Sequence, residues 1–147
     1  MRLLAMVLAT LLVAACSKDP EPIRWGTDMC DQCRMILSDK PFGAELVAQR
    51  VYKFDGVDEL SRFQSAHPEI KGAAYVTDGE TGNLVPAREA VFIQSTDLKA
   101  PMGGHVTSFA KRQEAQQFVA QHQLHEVQWL TFAEALGRTG GGSNAGH

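Results

Sequence analysis

The hydrophobic pattern along the chain changes from strand-like to helix-like and back. Residues 44–47 and 51–54 are rich in strand-forming side chains and are separated by polar residues, which predicts a hairpin. Apolar residues three apart then predict a helix that starts behind Asp55, as its N-terminal cap, and ends before Pro68. Residues 74–77 are expected to form a closing strand.

A similar succession follows in the second half of the chain. Residues 91–93 predict a strand, 108–121 a helix and 127–130 a last strand, with a short helix over 132–136. The two halves therefore resemble an internal repeat. The connections are too short for many parallel crossovers, so the predicted class is α+β with mainly antiparallel strands.

The two ends of the chain have a different character. An apolar run over 3–13 is shorter than the ~20 residues of a membrane-spanning helix and fits a signal peptide over residues 1–15. It ends in Ala14-Ala15-Cys16, which resembles the lipobox of bacterial lipoproteins, so Cys16 is the expected lipidation site. Residues 16–22 then form a tether, and residues 139–147 form a flexible Gly-rich tail.

Composition narrows the possible partners and the location. The formal charge is −3, from 14 basic and 17 acidic residues that are interspersed along the chain. Because no basic block occurs, nucleic acid is not an expected partner. By resemblance to lipoprotein sorting rules, Ser17 after the lipidated cysteine predicts the outer membrane, on its periplasmic side.

The chemistry is expected where sulfur is concentrated. Four sulfur side chains occur within seven residues, at Met29, Cys30, Cys33 and Met35. A further methionine is flanked by Pro101 and Gly103 and is followed by a histidine, so that Met102 and His105 lie on a predicted turn. Thiolate and thioether ligands select Cu(I), whereas a structural zinc site usually needs four Cys or His ligands.

Other interpretations of these residues stay open at this level. Cys30 and Cys33 fit a local disulfide or redox pair as well as a metal site, because export favours oxidation. Haem attachment is excluded, because position 34 is Arg and not His. Met35 fits core packing, and His105 fits a hydrogen-bonded surface residue. The neighbouring Asp28 and Asp31 are expected to be solvated, and Asp28 also fits a cap of the loop.

Three segments together resemble the NosL family. They are residues 30–45, which begin Cys-Asp-Gln-Cys-Arg-Met, residues 53–60, and residues 100–110 with their Pro-Met-Gly-Gly-His element. The resemblance implies one domain over 23–138, built from two ββαβ units at about 23–80 and 84–136. It also implies a periplasmic copper lipoprotein that hands Cu(I) to the nitrous oxide reductase maturation machinery, an ABC-type membrane complex, or to apo nitrous oxide reductase.

The resemblance also implies a ligand set. Cys33 would supply a thiolate, and Met35 and Met102 would supply thioethers. Cys30 would add a second thiolate or pair with Cys33 on oxidation, and His105 is an alternative fourth ligand. The expected function is a metal carrier and not an enzyme. The alternatives are a thiol–disulfide redox lipoprotein that uses the Cys-x-x-Cys pair, and a structural lipoprotein whose sulfur side chains only pack.

Overall fold

The first unit is a ββαβ arrangement around a central strand. A computed structural model describes residues 19–139, so the predicted signal peptide, Cys16 and residues 140–147 lie outside the described residues. Strand β1 pairs antiparallel with β2 on one side and with β3 on the other. The elements are β1 (Ala44–Val47), β2 (Val51–Phe54), α1 (Val57–Ala66) and β3 (Ala73–Thr77). A short 3-10 turn, Lys40–Phe42, precedes β1.

The second unit repeats this topology. Its central strand β5 pairs antiparallel with both neighbours, in the spatial order β6-β5-β7 that matches β2-β1-β3. The elements are β5 (Val91–Gln94), β6 (Val106–Phe109), α2 (Arg112–Gln121) and β7 (Gln128–Leu130), numbered after β4 (Leu84–Pro86), and a final helix α3 (Phe132–Thr139) follows. The α+β class with two antiparallel ββαβ units is confirmed. Residues 84–86, assigned from sequence to the second repeat, pair as β4 with β3.

One continuous core joins the two units. Phe92 on β5 faces this core together with Phe54 and Leu60 of the first unit, while the adjacent Ile93 faces the opposite side and a smaller cluster under α2. This split follows from the alternation of side chains along a strand. Helix α3 lies against α1, where the Ser61 hydroxyl donates a 2.9 Å hydrogen bond to the Leu136 carbonyl.

The start of the second helix was predicted wrongly. Residues 106–109 form strand β6, and the helix begins at Arg112 instead of position 108. Tertiary contacts decide this: the Thr107 hydroxyl donates to the Pro41 carbonyl at 2.6 Å, and the Ser108 hydroxyl donates to the Thr77 carbonyl at 2.7 Å. These partners are distant in sequence, so no local pattern predicts them.

Asp78 joins the two sheets. Its backbone forms an isolated parallel bridge with Ser108, and its carboxylate accepts the Ala110 backbone N–H at 2.9 Å and the Glu80 backbone N–H at 2.8 Å. The bridge to Ser108 and the hydrogen bond from Ala110 therefore connect the two units. Within residues 19–139, no helix is long and apolar enough to cross a bilayer.

Candidate metal site

The two cysteines lie on a tight turn before β1. The turn closes through hydrogen bonds from the Cys30 N–H to the Met35 carbonyl (2.8 Å) and from the Arg34 N–H to the Cys30 carbonyl (3.0 Å). Arg34 has a left-handed φ of 67°, which reverses the chain direction. The Cys33 N–H donates to Cys30 Sγ at 3.4 Å, and both cysteines are free thiols. The turn thus brings both sulfur atoms to the same side of the loop.

Two aspartates fasten this turn to β2. Asp31 accepts the Lys53 backbone N–H at 2.8 Å and pairs with Arg50. Asp28 is buried and accepts hydrogen bonds from Lys53 Nζ (2.7 Å) and Arg24 Nε (2.8 Å). Burial alone would raise the pKa of Asp28, but these hydrogen bonds outweigh it and lower that pKa to about 2. The expectation that both aspartates are solvated is wrong, because each one anchors the cysteine turn.

Two acidic side chains complete a cluster with the thiols. The ligand atoms of Cys30, Cys33, Asp55 and Glu59 all lie within 4.8 Å of one another. The Cys33 thiol donates to Asp55 Oδ2 at 3.5 Å. The prediction that Asp55 caps α1 is wrong, because Gly56 holds the cap position and no side chain makes a capping hydrogen bond there. The Asp55 carboxylate instead faces the cysteine turn, and Glu59 reaches the cluster from the first turn of α1.

The cluster is rich in buried negative charge. Asp55, Asp58 and Glu59 are each at least 97% buried, and Arg62 is paired with Glu59 and lies 3.8 Å from Asp58. Burial raises the pKa values of Asp58 and Glu59, against the opposing charge of Arg62. Asp55 Oδ1 is buried and has no hydrogen-bond partner. A carboxylate oxygen without a partner in such a place is costly, and a bound cation would satisfy it.

The Cys33 thiol is held in its protonated form. Burial raises its pKa from 9.0 to about 12, and the neighbouring Cys30 and Asp55 add to the effect, while the Met35 backbone N–H opposes it. Cys33 is half-buried as a residue. A metal ion that binds here must therefore displace a proton.

The predicted thioether ligands are accessible. Met35 is 55% exposed and Met102 is 48% exposed, so neither side chain packs in the core. Met102 lies on the 3-10 turn Pro101–Gly103 with a left-handed φ of 56°. Gly104 closes this turn against Asp58, where an added Cβ would come within 2.8 Å of the carboxylate carbon. The Met102 turn therefore contacts the same end of α1 that supplies Glu59.

His105 has a hydrogen bond of its own. Its Nδ1 lies 2.6 Å from the Leu98 carbonyl oxygen, so this nitrogen acts as a donor and Nε2 is the atom left for another ligand. Sequence reasoning missed Asp55 and Glu59 as members of the site. The available signal was three acidic residues within five positions behind a strand, and this was interpreted as an ordinary helix start.

Comparison with known proteins identifies the family. The family model described as NosL matches residues 25–134, which is most of the chain. The chain belongs to the NosL family. The match includes the cysteine turn, both acidic members of the cluster and the Met102 turn.

Two NosL proteins illustrate the relationship. The copper-binding lipoprotein NosL of Stutzerimonas stutzeri is 28% identical over 163 aligned positions, which cover 95% of this chain and 86% of the relative. The crystal structure of the copper chaperone NosL from Shewanella denitrificans superposes with a TM-score of 0.64 at 22% identity, over 80% of this chain and 95% of that one. The structural match establishes a shared fold.

Proposed function

We propose that this protein is a lipid-anchored periplasmic carrier of Cu(I) that supplies copper for the copper centres of nitrous oxide reductase. The observation that carries the proposal is the position of Cys33, half-buried on a turn two residues before the exposed Met35. Asp55 and Glu59 lie in one cluster with Cys33, and Gly104 of the Met102 turn approaches Asp58 in the same stretch of chain. Soft sulfur ligands select Cu(I). One family member is named a copper-binding lipoprotein and another a copper chaperone.

A carrier has to release its metal, and the site is suited to exchange. Met35 and Met102 are about half exposed, so a partner protein can reach the sulfur side of the site without unfolding the donor. Copper would be passed to an acceptor within the maturation machinery, an ABC-type membrane complex, or to apo nitrous oxide reductase. Lipidation at Cys16 would hold the protein at the periplasmic face of the outer membrane.

The environment of Cys33 favours this function over thiol–disulfide exchange. An attacking cysteine must be a thiolate, and oxidoreductases lower its pKa. Here burial, together with Cys30 and Asp55, raises the pKa of Cys33 to about 12, so the thiol is protonated at pH 7. Cys30 is fully buried, which hinders attack by an external disulfide.

A titration with Cu(I) tests the proposal. The reduced processed chain, residues 16–147, is titrated in detergent against a competing Cu(I) chelator, and one Cu(I) per chain is expected. Cys33→Ser, Met35→Leu and Met102→Leu are expected to weaken binding by more than about tenfold each, because each removes one sulfur ligand. Met29→Leu is the matched control, since Met29 is similarly exposed at 44% and is not a predicted ligand. Unchanged affinity in Cys33→Ser would contradict the proposal.

A further inference from the structure

The segment that precedes the cysteine turn crosses the outer face of the first sheet. Side chains alternate along a strand, and both neighbours of Glu45 on β1 face the core, so Glu45 faces away from it. Residues 19–25, called the strap, cross this outer face. The Glu21 backbone N–H donates to Glu45 Oε2 at 3.1 Å, and Lys53 Nζ donates to the Pro22 carbonyl at 3.1 Å. Two side chains from neighbouring strands therefore hold the strap on the sheet.

Glu45 is buried under the strap with one of its oxygens unsatisfied. The residue is 0% exposed, and among the described residues its Oε1 has no hydrogen-bond partner. Lys53 lies directly opposite on β2, but its ammonium group donates to Asp28 at 2.7 Å and to Pro22. An ionised carboxylate in this position lacks the hydrogen bonds that water would supply, so the docked strap favours the protonated form.

Three charged groups surround Glu45. In the N-terminal segment, the carboxylates of Glu21 and Asp28 disfavour its ionised form, whereas Lys53 on β2 and the Glu21 backbone N–H favour it. Tyr75 is the cross-strand neighbour on β3. Burial is the largest effect, and it raises the pKa of Glu45 from 4.5 to about 7. The carboxyl group under the strap therefore changes its charge close to neutral pH.

The strap is packed loosely along one side. A cavity of about 280 Å³ separates it from β4 and from the loop that precedes this strand. The cavity is lined by Pro20, Pro22, Ile23 and Trp25 of the strap and by Leu84 opposite them. A space of this size holds several water molecules. Few packing contacts therefore oppose separation of the strap from the sheet on this side.

We propose that the strap is a pH-sensitive fastening, which lies on the sheet while Glu45 is protonated and detaches when Glu45 ionises. Detachment lets water solvate the carboxylate. The stabilisation of the docked strap is fully present below pH 4.5 and is lost as pH rises through about 7. Over that range the equilibrium constant for docking falls by up to about 300-fold.

The consequence for the whole protein rests on the lipid anchor of the proposed function. Residues 16–18 alone separate the strap from Cys16 in the sequence. Detachment of the strap frees seven further residues, which extend to about 23 Å at about 3.3 Å per residue. The domain would then reach partners farther from the membrane at neutral pH than at acidic pH.

Fluorescence quenching of Trp25 measures docking of the strap. Trp25 is half-buried against Gly43, where an added Cβ would lie 2.6 Å from its ring, so detachment exposes it to acrylamide. In the reduced processed chain the quenching constant is expected to rise at least about twofold from about pH 5 to pH 8, with unchanged far-UV circular dichroism. Trp129→Phe isolates this signal, because the chain has two tryptophans. Equal quenching at both pH values, or loss of the circular dichroism over the same range, would overturn the proposal.

Matched variants test whether Glu45 is the cause. Glu45→Gln cannot ionise, so its quenching is expected to stay low at both pH values. Glu89→Gln is the control and should keep the full rise, because Glu89 is an exposed acid outside the strap. A rise of the same size in Glu45→Gln would overturn the proposal. These measurements use neither copper nor a membrane, so loss of Cu(I) binding or of lipidation would affect the proposed function and the reach of the domain alone.

Discussion

The high pKa of Cys33 predicts how copper affinity depends on pH. Since burial raises this pKa to about 12, the thiol is protonated at every pH below that value, and Cu(I) must displace the proton to bind. Protons compete with the metal, so affinity falls as pH falls. Each displaced proton changes the apparent affinity tenfold per pH unit, or about 1.4 kcal/mol. From pH 6.5 to 8.5 the gain is about 100-fold for the Cys33 thiolate.

The dependence of Cu(I) affinity on pH above pH 9 tests whether the raised pKa of Cys33 is its cause. Between pH 9 and 10 a thiol with a pKa of about 12 still gains about tenfold, whereas a thiol at the ordinary value of 9.0 gains less than about twofold. The assay is competition with a Cu(I) chelator that is fully deprotonated above pH 6.5. A profile that levels off by pH 9 would refute the assigned environment of Cys33. In the Cys30→Ser variant, Cu(I) affinity still changes tenfold per pH unit if Cys30 is not a ligand.

Two further predictions concern stability and loop position. Burial raises the pKa of Glu45 from 4.5 to about 7, so its contribution to stability is present below pH 4.5 and is lost as pH rises through 7. In chemical unfolding, Glu45→Gln should therefore remove this pH dependence and raise the free energy of unfolding at pH 8 by at most about 3 kcal/mol. The same dependence of unfolding free energy on pH in the variant and the unmodified protein would contradict this prediction. Gly104→Ala should clash with Asp58, displace the Met102 turn and so weaken Cu(I) binding. Gly137→Ala is the control, because its added Cβ meets nothing within 4 Å. Equal Cu(I) affinities in the two variants would contradict this prediction.

Local sequence determines most of the first unit. The predicted hairpin over 44–47 and 51–54 matches β1 and β2 residue for residue, because β-branched and aromatic residues there flank a short polar turn. Helix α1 also follows its apolar spacing and ends before Pro68. Strand β4 was not predicted, since three residues ending in a proline at the sheet edge give too short a pattern.

The site was only half predictable. Residue type and spacing are enough to select the two cysteines, which lie in one cluster with Asp55 and Glu59. Nothing local distinguishes Asp55 and Glu59 from ordinary acids at the start of a helix. The cysteine turn that covers them is fastened to β2 through Asp31 and Asp28, by hydrogen bonds between residues 22 and 25 positions apart. The copper ligand set and the role of His105 stay predictions.

The two turns that carry the proposed copper ligands belong to opposite halves of the duplicated domain. The cysteine turn packs on β2 of the first half, and the Met102 turn leads into β6 of the second, with Asp78 as the fixed joint between the halves. A metal ion held by both turns would act as a non-covalent cross-link across that joint. Copper occupancy would then raise the resistance of the whole domain to unfolding, and a partner that removes the ion would loosen both halves at once.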